Sequence, residues 1–343
     1  MTDRVAVLGG GSWGATLADH LARQGREVTV WEFNRERAES LQKTRRLSFM
    51  PQLELHPKAV VTNDLGAALE GRPAIVSAVP SEFVRQTFRA VRSTGRLAPG
   101  AWAVSVTKGI ENNSLKRMTE VIVDEEPALK DRVSVLAGPS HAEEVAKSLP
   151  TAVVAAGPEP FRERIVALFN TDRLRVYTSP DFVGVELAGA LKNVYAVACG
   201  VSDGLGMGDN TKAALMTRGL NEIARIGAAC GAHVITFFGL AGLGDLIVTC
   251  TSRHSRNRAF GEKIGQGKTV PQALAEMTMV AEGLPTAKSA KQLADRFDLD
   301  VPIIHALYGC LYEGKTAREA VKELLARPPV EEMQHLEQFV QNK

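Results

Sequence analysis

Short runs of consecutive apolar residues, many of them β-branched, alternate with amphipathic stretches along the first half of the chain. Runs that are apolar at every position are typical of parallel strands buried on both faces. The strands predicted in this way are 4–8, 27–31, 59–62, 74–79, 102–106, 133–137 and 151–156. The segments between them have helical spacing, as in residues 17–25, where Gly25 fits a C-terminal cap. Repeated strand–helix units predict a doubly wound, mostly parallel α/β sheet.

The pattern changes near residue 180, where strand-like runs give way to helical periodicity. The predicted helices are 183–200, 211–230, 256–266, 270–276, 284–297, 302–313 and 316–326. We therefore expect an α/β domain over residues 1–180 and a mostly α-helical domain over 181–343, in line with the length of 343 residues. The polar tail after about residue 327 is expected to be loosely held.

The first long helix of the second domain carries a lysine in apolar surroundings. Apolar residues lie on every side of Lys192 on the helical wheel, which indicates a buried helix. A buried ammonium needs a compensating partner, because uncompensated burial of a charge is costly. Lys192 is therefore the first candidate functional residue.

Composition and charge narrow the class of protein. The chain is 45% apolar and 23% charged with a net charge of +2, close to an average globular protein. The sequence contains no basic cluster of the kind that would indicate binding to nucleic acid or to a membrane surface. The four cysteines are widely spaced, as in a cytoplasmic protein with reduced thiols. The most apolar stretch, 234–243, is too short to span a membrane, and the N-terminus has no signal-peptide pattern, so we expect a cytoplasmic location.

Metal binding is not expected from the sequence. The histidines lack metal-ligand spacing, and the aspartates of the second half lack the oxygen-rich loop that calcium requires. The residues considered are His141, His233, His254, His305, Asp203, Asp209 and Asp245.

A glycine-rich turn lies between the first predicted strand and the first helix. Its spacing, G-x-G-x-x-G, is formed by Gly9, Gly11 and Gly14. With an acidic residue, Glu32, at the end of the second strand, this context predicts a Rossmann-like domain that binds a dinucleotide. Glu32 favours NAD, whereas Arg35 and Arg37 are able to hold the 2′-phosphate of NADP. The sequence leaves that choice open.

Three further polar sites interrupt apolar surroundings. The first is Lys108, which follows a predicted strand, and the second is the turn 138–140, which follows another. The third consists of Asp245 and the predicted helix start at 255–257. Each has a plain alternative, namely a surface lysine, an ordinary turn and a helix cap. Together they supply a site for a phosphorylated carbonyl compound. Arg256 and free N–H groups hold the phosphate, Lys192 protonates an oxygen, and Asp245 keeps Lys192 charged and oriented.

Several sequence blocks resemble one family closely. The blocks 9–18, 105–111, 136–146, 183–210, 239–261 and 280–288, among them GALKNVYA and GLGDLIVT, are similar to the successive signatures of bacterial NAD(P)-dependent glycerol-3-phosphate dehydrogenase. The resemblance runs from about residue 4 to about residue 326. It implies reversible reduction of dihydroxyacetone phosphate to sn-glycerol 3-phosphate by NAD(P)H, a step that feeds phospholipid synthesis.

The resemblance also implies roles for individual residues. Lys192 is the implied catalytic acid/base, Asp245 orients it, and Lys108 is a further catalytic residue. The implied cofactor contacts are Gly9, Gly11, Ser12, Trp13, Gly14, Phe33, Lys108, Ala142, Arg256, Val280 and Glu282. The implied substrate contacts are Lys108, Gly138, Ser140, Lys192, Asp245, Ser255, Arg256 and Asn257. Many family members have a basic residue or histidine in place of Phe33, so the preference between NADPH and NADH stays open.

We expect a homodimer acting on a small molecule, without a nucleic-acid partner or an integral membrane segment. One alternative is a β-hydroxy-acid dehydrogenase of similar layout, although its lysine is usually followed by an asparagine one helical turn later. Here Asn193 directly follows Lys192. The other alternative is a non-catalytic dinucleotide sensor, which needs no buried lysine beside a carboxylate.

Overall fold

The computed structural model describes residues 4–277, 279 and 281–332. These residues divide into two units. Unit 1 contains the described residues up to Lys108 and the segment Arg117–Phe182, and unit 2 contains Gly109–Lys116 and the described residues from Val183 onward. A single boundary at residue 180, as the sequence suggests, would place Gly109–Lys116 in the first domain. In the structure this segment belongs to unit 2.

Unit 1 is built on an eight-stranded sheet. Its strands are β1 (Arg4–Leu8), β2 (Glu27–Trp31), β3 (Val60–Thr62), β4 (Ala74–Ser77), β5 (Trp102–Ser105), β6 (Val133–Ala137), β7 (Thr151–Ala156) and β8 (Leu174–Ser179). The spatial order is β3-β2-β1-β4-β5-β6-β7-β8. Neighbouring strands are parallel except β6 and β7, which are antiparallel. The predicted mostly parallel sheet is confirmed, and β8 is an additional strand.

Helices cover both faces of this sheet. They are α1 (Ser12–Arg23), α2 (Arg35–Thr44), α3 (Leu65–Leu69), α4 (Val84–Thr94), α5 (Met118–Glu125), α6 (Ala142–Val145) and α7 (Phe161–Phe169). Successive residues of β1 enter opposite cores, because side chains alternate across a strand. Val5 packs in a core that includes Leu21 of α1, whereas Ala6 packs in a second core that includes Phe88 of α4.

The order of the strands locates the ligand-binding edge. β1 pairs with both β2 and β4, so the chain order reverses at β1. In open α/β sheets, ligands bind beyond the carboxyl ends of the strands at such a reversal. The glycine turn begins at Gly9, directly after the carboxyl end of β1.

Unit 2 is helical. Its helices are α8 (Phe182–Gly204), α9 (Gly208–Ala229), α10 (Asp245–Thr251), α11 (Arg256–Gly265), α12 (Val270–Ala275), α13 (Gly283–Arg296), α14 (Pro302–Tyr312) and α15 (Ala317–Leu325). A 3-10 turn over Val234–Phe238 and a π-helical turn over Leu240–Gly244 lead into α10. The seven predicted helices are confirmed, while α10 lies in a segment for which no helix is predicted from the sequence.

The central element of unit 2 is α8. By length and composition α8 is a candidate membrane span, but 83% of its most apolar window is buried within the protein, as in a core helix. α11 packs tightly against α8, because a side chain at Gly200 would collide with the carbonyl oxygen of Arg258 and one at Gly261 with that of Val197. The two glycines therefore allow the backbones of α8 and α11 to touch.

Candidate active site

The glycine turn of unit 1 has the geometry of a dinucleotide cradle. Gly9 has a φ of +111° and donates its N–H to the carbonyl of Trp31 at 2.9 Å. A side chain at Gly14 would collide with the carbonyl oxygen of Gly9, so the turn closes tightly onto α1. Gly11 is the N-cap of α1 and, among the described residues, a Cβ built on it meets no atom within 4 Å. The open helix start fits the pyrophosphate of NAD or NADP.

Ser12 and Trp13 form the first turn of α1. Ser12 is buried, and its carbonyl accepts a hydrogen bond from the Thr16 hydroxyl at 2.8 Å. Trp13 is half-buried and packs against the core below α1. Both residues therefore belong to the helix start that faces the ligand-binding edge.

Glu32 directly follows β2, beside the glycine turn. Its side chain is buried, and its Oε1 atom accepts the backbone N–H of Asn34 at 3.2 Å. Asn34 caps α2 by accepting the backbone N–H of Arg37 at 2.9 Å. Between them, Phe33 is 76% exposed and meets the Trp31 ring edge-on at a centroid distance of 6.2 Å.

Lys108, Gly138 and Ser140 lie together in unit 1. They follow β5 and β6, which are adjacent parallel strands, so their carboxyl ends meet at one edge. Lys108 Nζ donates to the Gly138 carbonyl at 3.1 Å, and Ser140 Oγ donates to the same oxygen at 3.0 Å. Gly138 has a φ of +134°, a conformation that glycine adopts readily. Ala142, the first residue of α6, is buried in the adjoining core.

Lys192 lies in the buried middle of α8 and contacts two side chains of α10. Nζ donates to Asp245 Oδ1 at 2.8 Å and to Thr249 Oγ1 at 2.5 Å. Lys192 is 5%, Asp245 1% and Thr249 3% exposed, so this ion pair is shielded from water. The predicted contact between Lys192 and Asp245 is confirmed, and the role of each stays a prediction.

Thr249 is a residue that the sequence analysis misses. It lies one helical turn after Asp245, and its hydroxyl donates to the Asp245 carbonyl at 2.6 Å while accepting from Lys192. The i, i+4 spacing would have indicated a shared face if α10 had been predicted. In the structure Thr249 fixes the position of the ammonium from a second direction.

Asn193 and Asn257 connect three helices of unit 2. Asn257 Nδ2 donates to Asn193 Oδ1 at 2.9 Å, and Asn257 Oδ1 accepts the N–H of Gly283 at 2.9 Å. Both amides are buried. The predicted substrate contact Asn257 thus holds the start of α11 against α8 and the start of α13.

The start of α11 presents a basic side chain. Ser255 is the N-cap and accepts the N–H of Arg258 at 3.2 Å, so its hydroxyl orients the first turn. Arg256 is exposed at the first helical position. These residues border a cavity of about 210 Å³ that is also lined by Arg253, His254, Ala259, Lys263, Glu276, Met277 and Met279. Helix N–H groups and a guanidinium suit a phosphate group.

Two predicted cofactor contacts lie before α13. Glu282 is the half-buried N-cap residue of α13, and its carbonyl accepts the Thr286 hydroxyl at 2.6 Å. Val280 lies outside the described residues.

A second buried polar group supports α8 one turn beyond Lys192. Tyr195 donates its hydroxyl to Glu222 Oε2 of α9 at 3.0 Å. The Glu222 carboxyl also accepts the N–H groups of Ile303 at 2.9 Å and Ile304 at 3.3 Å, at the start of α14. Burial raises the pKa of Glu222 to about 7 and raises that of Tyr195 as well. The carboxyl therefore links α8, α9 and α14.

The predicted residues fall into groups within each unit. Unit 1 contains the glycine turn with Glu32 and the cluster of Lys108, Gly138 and Ser140. Unit 2 contains the buried Lys192–Asp245 pair and the basic start of α11. The first arrangement suits a dinucleotide, and the second presents a buried ammonium and a helix start that carries a guanidinium.

The chain matches two models of one family. The model described as "NAD-dependent glycerol-3-phosphate dehydrogenase N-terminus" matches residues 4–160, and the corresponding C-terminus model matches residues 181–322. Together they cover most of both units.

Relatives and a solved structure agree. "Glycerol-3-phosphate dehydrogenase [NAD(P)+]" of Citrifermentans bemidjiense is 47% identical over 330 residues, which is 95% of this chain and 98% of the relative. The protein of that name from Geobacter sulfurreducens is 48% identical, with the same coverage. The crystal structure of glycerol-3-phosphate dehydrogenase from Coxiella burnetii superposes with a TM-score of 0.90 at 35% identity, covering 95% of this chain and 99% of that one.

Proposed function

The chain belongs to the NAD-dependent glycerol-3-phosphate dehydrogenase family, and from that premise we propose that it reversibly reduces dihydroxyacetone phosphate to sn-glycerol 3-phosphate with NAD(P)H. The product is a precursor for glycerophospholipid synthesis. The observation that carries the proposal within this chain is the buried ion pair of Lys192 and Asp245, completed by Thr249.

Each unit has its own part in the proposed reaction. We assign cofactor binding mainly to the 1–180 domain, through the glycine turn and the cluster at Lys108. We assign proton transfer and phosphate binding mainly to the 181–343 domain. When bound, the reduced nicotinamide supplies the hydride for the carbonyl carbon.

Lys192 supplies the proton. As negative charge develops on the carbonyl oxygen, the ammonium neutralises that charge and transfers a proton to it. In the reverse direction, the neutral amine accepts the proton of the substrate hydroxyl. Asp245 and Thr249 accept hydrogen bonds from Nζ, which keeps the lysine charged and oriented in a buried site.

The phosphate is assigned to the start of α11. Arg256 and the helix N–H groups supply positive charge there, while Ser255 and Asn257 hold that helix start in place. Lys108, Gly138 and Ser140 are assigned to substrate from unit 1, with Lys108, Ala142, Arg256, Val280 and Glu282 as cofactor contacts beyond the glycine turn.

A steady-state assay tests the proposal. We expect consumption of NADH or NADPH with dihydroxyacetone phosphate and no comparable oxidation of β-hydroxy acids with NAD⁺ or NADP⁺. Preferred turnover of a β-hydroxy acid would point to the related class of dehydrogenase. Cofactor binding without turnover of any phosphorylated triose would point to a sensor.

We further propose that the enzyme is a cytoplasmic homodimer. None of the four cysteines forms a disulfide bond in the described part of the chain, as is usual for cytoplasmic proteins. Ile235 and Phe238 in the 3-10 turn Val234–Phe238 and Ile247 in α10 are 77%, 46% and 45% exposed, and both elements pack on the π-helical turn between them. A second copy of the chain is the proposed occupant of this apolar surface.

Sedimentation equilibrium tests the assembly. We expect a dimer that Ile235→Glu converts to a monomer. Leu274→Glu, which changes another exposed apolar residue, is the matched control and is expected to leave the dimer intact. A monomeric wild-type protein would contradict the assignment.

A further inference from the structure

Glu32 occupies the position from which a cofactor ribose is recognised. It directly follows β2, and a Cβ built on Gly10 of the glycine turn lies 2.9 Å from its Oε2 atom. On the other side, Oε1 accepts the N–H of Asn34 at 3.2 Å. The carboxylate is therefore held against the turn, with only 7% of the residue exposed. We propose that Glu32 makes this enzyme selective for NADH over NADPH, an inference that rests on the proposed dehydrogenase function.

The physical reason lies in the difference between the two nucleotides. The 2′-hydroxyl of NADH donates a hydrogen bond, and a carboxylate accepts it strongly. NADPH has a 2′-phosphate in place of that hydroxyl, so it loses the donor and adds negative charge beside the carboxylate. Because the Glu32 side chain is buried, solvent screens this repulsion only weakly.

The nearby arginines do not make the net charge around Glu32 positive. Arg35 Nε pairs with Glu39 at 2.8 Å along the exposed face of α2. Arg37 Nε lies 3.8 Å from Glu32 Oε1, and its guanidinium lies 5.9 Å from the centre of the Phe49 ring. Each guanidinium thus has a carboxylate beside it. Arg37 partly neutralises Glu32, which leaves little positive charge for a phosphate.

Phe33 offers an apolar surface instead of a cation. It directly follows Glu32, is 76% exposed and meets Trp31 edge-on. An exposed ring at this position suits the adenine base, which can stack on it. The ring supplies no charge to bind a 2′-phosphate, so it contributes equally to the binding of NADH and of NADPH. Selectivity between the two nucleotides therefore depends on Glu32.

Equilibrium binding to the full-length protein tests the proposal independently of turnover. Calorimetric titration with ADP-ribose and with 2′-phospho-ADP-ribose compares the two ribose forms, and titration with NADH and NADPH repeats the comparison. We expect about 10- to 100-fold tighter binding of the forms with a free 2′-hydroxyl, as for one hydrogen bond to a charged group. Added salt is expected to change this ratio little, because a buried charge is only weakly screened.

Two matched variants assign the effect to Glu32. Glu32→Gln keeps the shape and removes the charge, so we expect the ratio to fall by about tenfold or more, mainly through tighter binding of the 2′-phosphorylated forms. Glu27→Gln makes the same change at the exposed opposite end of β2, where Glu27 pairs with Arg4. It is expected to leave the ratio unchanged.

The outcomes separate this inference from the proposed function. Wild-type protein that binds the 2′-phosphorylated forms equally or more tightly overturns the inference, as does an unchanged ratio in a Glu32→Gln protein with a wild-type melting temperature. In both cases, reduction of dihydroxyacetone phosphate would still support the proposed function. Failure to bind any of the four nucleotides would contradict the dehydrogenase function itself.

Discussion

Lys192 Nζ lies 2.8 Å from Asp245 Oδ1, although 53 positions separate the two residues in the sequence. Both side chains are almost completely buried, so neither charge is stabilised by bulk water. A buried ion pair contributes little to stability relative to apolar residues of similar volume. The pair therefore supports the proposed proton transfer, which needs an ammonium at this place.

Replacing the lysine tests this directly. In Lys192→Gln, the amide can still donate a hydrogen bond to Asp245 but cannot supply a proton as an ammonium does. We expect kcat for dihydroxyacetone phosphate to fall by about 10²- to 10⁴-fold, the usual contribution of a general acid, with nucleotide affinity retained. Lys291→Gln, which removes a half-exposed lysine paired with Asp295 at 2.6 Å, is the control. Near-normal turnover of Lys192→Gln would refute the assignment.

Thr249 is predicted to position the ammonium. Thr249→Val keeps the shape but removes the hydroxyl that accepts from Lys192, so we expect kcat to fall by about 10- to 100-fold with little change in KM. Thr249→Ser restores the acceptor and is expected to recover most of the rate. An equal loss of activity in the valine and serine variants would contradict this assignment, because serine keeps the hydroxyl that accepts from Lys192.

The difference between predicted and missed elements of the fold has a physical basis. Strands β1, β2 and β4 to β7 are mostly buried on both faces, and their runs of apolar residues are visible locally. β8 (Leu174–Ser179) lies at the edge of the sheet with Leu174 and Val176 buried and residues between and after them exposed, so its signal is weaker. α10 follows the glycine-rich π-helical turn Leu240–Gly244, which suggests a loop when only the sequence is known. The sequence pattern therefore indicates an isolated charge at Asp245 and not the first residue of a helix.

The candidate site likewise contains features that follow from local sequence and features that depend on how the helices pack. The glycine turn is a local motif, so its geometry follows from spacing. The partner of Lys192 was predictable because a buried charge requires one. By contrast, the contacts of Asn193 with Asn257 and of Tyr195 with Glu222 depend on which helix faces meet. Helical periodicity indicates that a face is buried but does not identify its partner.

Glu222 is predicted to make stability depend on pH. Its pKa is raised by burial from 4.5 to about 7, so between these values the folded protein binds more protons at this site than the unfolded chain. Its contribution is fully present below about pH 4.5 and is lost as the pH rises through about 7, a change of about 3 kcal/mol.

Urea unfolding of wild type and Glu222→Gln at pH 5 and pH 8 measures this effect. The amide does not titrate, so the wild-type protein is expected to lose stability relative to the variant as the pH rises. Glu323→Gln, at an exposed ion pair with Lys315, controls for the loss of one carboxylate. A difference between wild type and Glu222→Gln that is the same at both pH values would contradict the prediction.

The close packing of α8 on α11 predicts the effect of a single added methyl group. In Gly261→Ala, the new Cβ collides with the carbonyl oxygen of Val197, a backbone atom that cannot rotate away. We expect a loss of about 1–3 kcal/mol in stability, together with a raised KM for dihydroxyacetone phosphate, because α11 carries Arg256 and must move. Gly309→Ala in α14 is the matched control, since the atoms nearest its new Cβ belong to the flexible side chain of Lys315, at 3.3 Å. Helix propensity favours alanine there. Thermal unfolding and steady-state kinetics of both variants provide the measurement. An unaltered KM in a destabilised Gly261→Ala protein would show that the helix contact supports the fold without positioning the phosphate-binding residues.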